Sequence, residues 1–141
     1  MATAIFGHFL DPKTYEPLAA DAPRVICSHH PYLREFTLLQ SVVFRSPNGH
    51  IWKADAGYLY NGASIPRFFW RWARPEEPRI FPASAIHDRL CDPTLPVECD
   101  SVTAACVFWL MLRAGGTRPV KAFLMWLAVR LFGPQFSGES M

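Results

Sequence analysis

Proline and glycine punctuation divides the second half of this chain into three helical segments. Pro82 opens the first, which is predicted to run to about Cys91. Asp92-Pro93-Thr94-Leu95-Pro96 ends it, because proline lacks an amide hydrogen and clashes with the preceding helical turn. A second helix is predicted from about Val97 to Ala114, ended by Gly115-Gly116. Thr117 and Pro119 start a third, which reaches about Phe132 and stops at Gly133-Pro134. Val102 to Leu112 is apolar almost all round, as is Val120 to Phe132 apart from Lys121 and Arg130. Helices of that kind are buried, lie at a membrane or pack on a partner. A helical core under a small sheet is the preferred reading. Trp109, Phe123, Trp126 and the segment Arg67 to Trp72 could also form an interfacial face for lipid or for subunit contacts.

The first half has a different grammar. Phe36 to Phe44 mixes β-branched, aromatic and other apolar residues and is predicted as a strand. Pro47-Asn48-Gly49 is a hairpin turn, since Asn and Gly tolerate positive φ. His50 to Ala54 is the return strand, and Gly57 to Tyr60 another short one. Ser64 is placed to cap a short helix beginning at Ile65-Pro66. The expected fold is therefore α+β: a small N-terminal antiparallel sheet, then a three-helix unit whose first two helices form an antiparallel hairpin. No repeat or second domain is visible, and 141 residues suit a single domain spanning 1–141.

Bulk properties exclude several classes. A net charge of +2 is too small to argue for nucleic acid, although Arg67 to Arg79 holds a local basic excess. The N-terminus lacks the basic and apolar regions of a signal peptide, and no apolar run reaches the roughly 18 residues of a membrane span. The four cysteines, Cys27, Cys91, Cys99 and Cys106, form no C-x-x-C pair and read as reduced thiols. A Cys91–Cys99 disulfide and a His87, Cys91, Cys99 zinc cluster are secondary readings.

The residues with chemical potential cluster around His87-Asp88. His87 lies four residues before Cys91, and Asp100 four residues after Pro96. At about 1.5 Å rise per residue both sit roughly 6 Å from the turn, so they can meet across an antiparallel hairpin. Asp100 would then fix the imidazole tautomer and stabilise its protonated form. A buried hydrogen bond tying two helices together is the plainer reading of the same pair. Asp88 points about 100° away from His87 and could ligate a hard cation or form a surface ion pair with Arg89 or Arg67. The loop Tyr60-Asn61-Gly62 can offer carbonyl and amide oxygens, or can be a simple turn. A Ser64, His87, Asp100 triad is a further arrangement, without the G-x-S-x-G context of a nucleophile elbow.

Taken in order, Gly57-Tyr58-Leu59-Tyr60-Asn61-Gly62-Ala63-Ser64-Ile65-Pro66, then His87-Asp88-Arg89-Leu90, Asp100 and Val129-Arg130-Leu131-Phe132-Gly133 resemble a phage- and prophage-associated domain family. The resemblance spans Phe36 to Gly133. More distantly, Pro82-Ala83 followed by His87-Asp88, with a preceding Gly-Ser loop and a later Asp, is similar to the phospholipase A2 superfamily. That resemblance implies a calcium-dependent lipid or ester hydrolase. His87 would be the base for a water, and Asp100 would orient it. Asp88 with Tyr60, Asn61 and Gly62 would bind calcium. Asn61 stands where that superfamily has Asp, and Cys91 where an aromatic is common. These departures motivate the alternative, a non-enzymatic virion, assembly or host-factor-binding protein. The resemblance implies a phospholipid surface or a phage or host protein as partner. It places the chain in a bacterial host cytoplasm or in a virion, and oligomeric state stays open.

Overall fold

Ser46-Pro47-Asn48-Gly49 turns the chain as its composition requires. The Gly49 amide donates to Ser46 O at 2.8 Å, and Gly49 takes a φ of +90°, which a side chain would resist. Ser46 Oγ accepts from the Trp52 indole at 3.1 Å and bonds Asn48, which locks the turn to the return strand. The structure is a computed structural model, and it describes residues 3–18, 23, 25–29, 35–61, 65–74 and 77–136.

Helix α1 (Thr3–Phe6) precedes β1 (His8–Leu10) and β2 (Cys27–His29). β3 (Phe36–Leu38), β4 (Val42–Arg45), β5 (Ile51–Ala54) and β6 (Leu59–Tyr60) follow, then α2 (Phe81–Leu90), α3 (Ser101–Ala114) and α4 (Pro119–Phe132). The architecture is α+β, with strands first and three helices last, as the sequence indicates. The strands form two antiparallel sheets, ordered β1-β4-β5 and β2-β3-β6.

The single strand expected over Phe36 to Phe44 is two strands in different sheets. The chain bends at Leu39 and Gln40. Before the bend, Leu38 and Leu39 bond Tyr58 and Ile26; after it, Val42 to Arg45 pairs with β1 and β5. Ser41 Oγ accepts from the Ala56 amide at 3.1 Å and holds the bend. One straight strand could not serve both sheets. Composition alone does not reveal the step, because both pieces are equally apolar.

The second helix begins at Ser101 rather than Val97, because Asp100 is its N-cap and accepts from the Thr103 amide at 2.8 Å. The short helix expected from Ile65-Pro66 is a 3-10 turn over Arg67–Phe69. Its expected cap, Ser64, lies outside the described residues.

Every residue of α2 except Arg89 is buried, so α2 is the central helix. It packs on α3 and reaches β4, β5 and β6, while α3 also packs on α4 and α1. Phe44, Tyr60, Ile86, Phe108 and Met111 are fully buried at this junction. Small residues Ala83, Ala85, Ala104 and Ala105 let the backbones approach. Among the described residues no helix is long and apolar enough to cross a membrane.

Candidate functional site

The C-terminal half of α2 carries His87 and Asp88 into two different environments. His87 is 2% exposed, and its ring lies 4.8 Å from that of Phe108. Its Nε2 is 3.7 Å from the Cys91 sulfur, one helical turn on. Burial pulls the imidazole pKa down to about 4, because a charge in this apolar setting loses its hydration. The ring is therefore neutral at neutral pH and keeps a nitrogen able to accept a proton.

Asp88 turns the other way. It is 8% exposed and lines a cleft of about 290 Å³ with Tyr58, Asn61, Cys91, Asp92 and Pro134. Two carboxylates, Asp88 and Asp92, line the cleft, and they act on its other titratable neighbours. Burial pushes the Tyr58 phenol up, and Asp88 and Asp92 push it further. Burial, then Asp88 and Cys99, push the Cys91 thiol up to about 12. Tyr58 thus stays protonated and donates to Asp92 Oδ2 at 3.3 Å. Cys91 stays a thiol, which argues against a Cys–His nucleophile, since the thiolate is the reactive form.

The remaining predicted residues divide. Asn61 lines the cleft with Asp88. Tyr60 ends β6 with its side chain in the core, where its hydroxyl donates to Ser84 Oγ at 2.6 Å. Its side chain is therefore not a loop ligand, and its backbone pairs with Phe36 in the β3–β6 ladder. Gly62 and Ser64, and with them the Ser64, His87, Asp100 triad, lie outside the described residues. Asp100 sits at the start of α3 with its carboxylate on Thr103. The Thr103 amide and hydroxyl hold its pKa below the usual carboxylate range, with a weaker contribution from Arg130. The orienting role for Asp100 is an expectation from hairpin spacing and from the resemblance; the role its carboxylate shows is that of a helix cap.

Tyr58 and Asp92 were not singled out by sequence. Tyr58 reads as a strand residue and Asp92 as part of the proline break. One signal was present: Asp88 and Asp92 are four residues apart, the spacing that stacks side chains on one helical face. Arg89, considered as a partner for Asp88, pairs with Glu98 across the α2–α3 connection.

The zinc cluster of His87, Cys91 and Cys99 is not formed. Among the described residues no group of three or more His, Cys, Asp or Glu is placed to hold a metal ion, and all four cysteines are free thiols. What the cleft does present is oxygen: the Asp88 and Asp92 carboxylates and the Asn61 amide. Oxygen donors suit a hard cation such as calcium and not zinc.

A model of the family described as "Protein of unknown function (DUF1353)" matches residues 36–129. The chain is also 34% identical over 106 residues to the uncharacterized protein y4jT of Sinorhizobium fredii. That alignment covers 74% of this chain and 31% of the relative, so the chain spans about a third of the curated protein it matches. No solved structure matches the chain.

Proposed function

The chain belongs to the DUF1353 family, and from that premise and the cleft geometry we propose a cation-assisted ester hydrolase of the phospholipase A2 kind, phage-encoded in origin, with its site at the Asp88 cleft. One observation carries the reading. A nearly buried carboxylate and a buried neutral imidazole are adjacent on one helix, and the carboxylate opens on a cleft that Asp92 and Asn61 also line.

Asp88 and Asn61, with the carbonyls of Tyr60 and Gly62, would hold calcium. When bound, the cation supplies the charge that polarises an ester carbonyl. Asp88 would contribute a carboxylate oxygen, and its burial would strengthen its attraction for a cation because less water screens it. His87, neutral by burial, stands behind the cleft wall, and it would be the proton acceptor for a water that passes Cys91, which lines the cleft and lies 3.7 Å from its Nε2. Tyr58, protonated over a wide pH range, holds the Asp92 carboxylate with its hydroxyl. A phospholipid or related ester is the substrate class this reading names.

A second reading is favoured by the position of Asp100. The Asp100 carboxylate accepts from the Thr103 amide and so has a purely structural role at the start of α3. With Asn61 in the loop as well, the same scaffold would suit a non-enzymatic virion, assembly or host-factor-binding protein with a degenerate site.

Calorimetric titration of calcium into wild type and Asp88→Asn separates these. The hydrolase reading expects saturable binding by the wild type and loss of it in Asp88→Asn. Absence of binding by the folded wild type would remove the cation from the mechanism and leave the second reading.

A further inference from the structure

A surface patch away from His87 combines exposed aromatics with cations in a regular order. In the segment 65–74, Ile65 and Ala73 are buried at the two ends and act as anchors. Trp70 is pinned between them: its indole donates to Ile65 O at 3.0 Å, and the Arg67 guanidinium lies 4.9 Å over its ring. This fixes what faces outward. Phe68 and Trp72, four residues apart, are 58% and 63% exposed. Arg67 and Arg71, also four apart and exposed, run beside them. The Phe68 ring meets Phe132 edge-on at 5.3 Å, joining the segment to the end of α4. There Leu131 and Phe132 are 60% and 66% exposed. Phe132 is two residues before Pro134, which lines the Asp88 cleft.

Isolated exposed apolar residues need no explanation, but a contiguous set does. Charge decides which occupant fits. From Arg67 to Arg74 the charged residues are all arginines, and α4 carries only Lys121 and Arg130. Glu77, in the loop that follows, is paired with Lys121 at 3.3 Å. A second copy docking through a twofold axis would bring these cations toward their own kind. An anionic lipid surface complements them, with aromatic rings entering the headgroup region and arginines meeting phosphates.

We propose that Phe68, Trp72, Leu131 and Phe132, with Arg67 and Arg71, form a docking surface for an anionic phospholipid bilayer. The patch is independent of whether the cleft binds a cation or turns over an ester. It would set the cleft beside the membrane surface through Pro134.

The test is co-sedimentation of the full chain with phosphatidylcholine vesicles, with and without phosphatidylglycerol, in chelator and at two salt concentrations. Chelator keeps the result separate from the cation reading. Wild type is expected to bind the phosphatidylglycerol vesicles and to be released by salt. Arg67→Gln with Arg71→Gln should lower the partition about five-fold per cation removed. Phe68→Ser with Phe132→Ser should also weaken it, with the far-UV spectrum unchanged. Trp72→Phe should keep binding but lose most of the vesicle-induced blue shift in tryptophan emission. No binding to anionic vesicles, equal binding to neutral ones, or indifference to these substitutions would overturn the proposal. So would a stable dimer that Phe68→Ser dissociates, which would make a second copy the occupant.

Discussion

Lowering the pH should destabilise this fold through His87, by an amount the structure sets. The imidazole is buried against Phe108 with a pKa near 4, against 6.5 for the free side chain. The sign follows from linkage. Because the folded pKa is depressed, the unfolded chain takes up the proton first, so stability is full above pH 6.5 and falls as pH drops toward 4. At 1.36 kcal/mol per pKa unit the limiting loss is about 3 kcal/mol, most of it reached by about pH 4.5. Other carboxylates titrate at the acid end of this window, so the comparison needs a variant. His87→Gln keeps a polar side chain of similar bulk and removes the titration. Urea unfolding of both proteins at steps from pH 7 to 4.5 measures the difference. Wild type should lose about 2–3 kcal/mol more than His87→Gln over that range. A pH-independent difference would refute a buried, neutral His87, and with it the picture of a water-accepting imidazole held in reserve.

Other expectations follow from single contacts. Asp100→Ala should cost about 1 kcal/mol by removing the cap on Thr103, measured by thermal unfolding. Tyr60→Phe leaves the buried Ser84 hydroxyl without its 2.6 Å partner and should cost about 1–3 kcal/mol in urea. Phe108→Ala opens a cavity beside His87 at a cost of about 3–5 kcal/mol, and acid sensitivity should fall as water reaches the ring. Gly7→Ala should be strongly destabilising in the same assay, since φ is +103° and a Cβ would sit 2.4 Å from Arg45 O.

The helices were legible because their boundaries are written in residues that act locally. Pro82, Gly115, Pro119 and Gly133 stop or start a helix whatever surrounds them. The α3 boundary was misplaced because Val97 to Cys99 is helix-compatible and only Asp100 makes the cap. The strands were harder. Phe36 to Phe44 reads as one strand on its β-branched and aromatic content, and the step between sheets depends on Ala56, a distant partner of Ser41. β1 and β2 are three residues each, too short for alternation to show. At the site, the adjacency of His87 and Asp88 on a helix told where each points. Burial of His87 and the approach of Tyr58 from the sheet depend on tertiary packing, which spacing does not encode. The capping of α3 by Asp100 through Thr103 is a local role that its spacing from His87 does not announce.

The central claim is that the Asp88 cleft and His87 together hydrolyse an ester with a bound cation. Release of fatty acid from mixed phospholipid vesicles tests it most directly, for wild type, His87→Gln and Asp88→Asn, each with excess calcium and with chelator. The account predicts turnover by wild type in calcium alone, and loss of it in chelator and in both variants while all three proteins stay folded. Turnover that survives His87→Gln, or none from folded wild type in calcium, would contradict it.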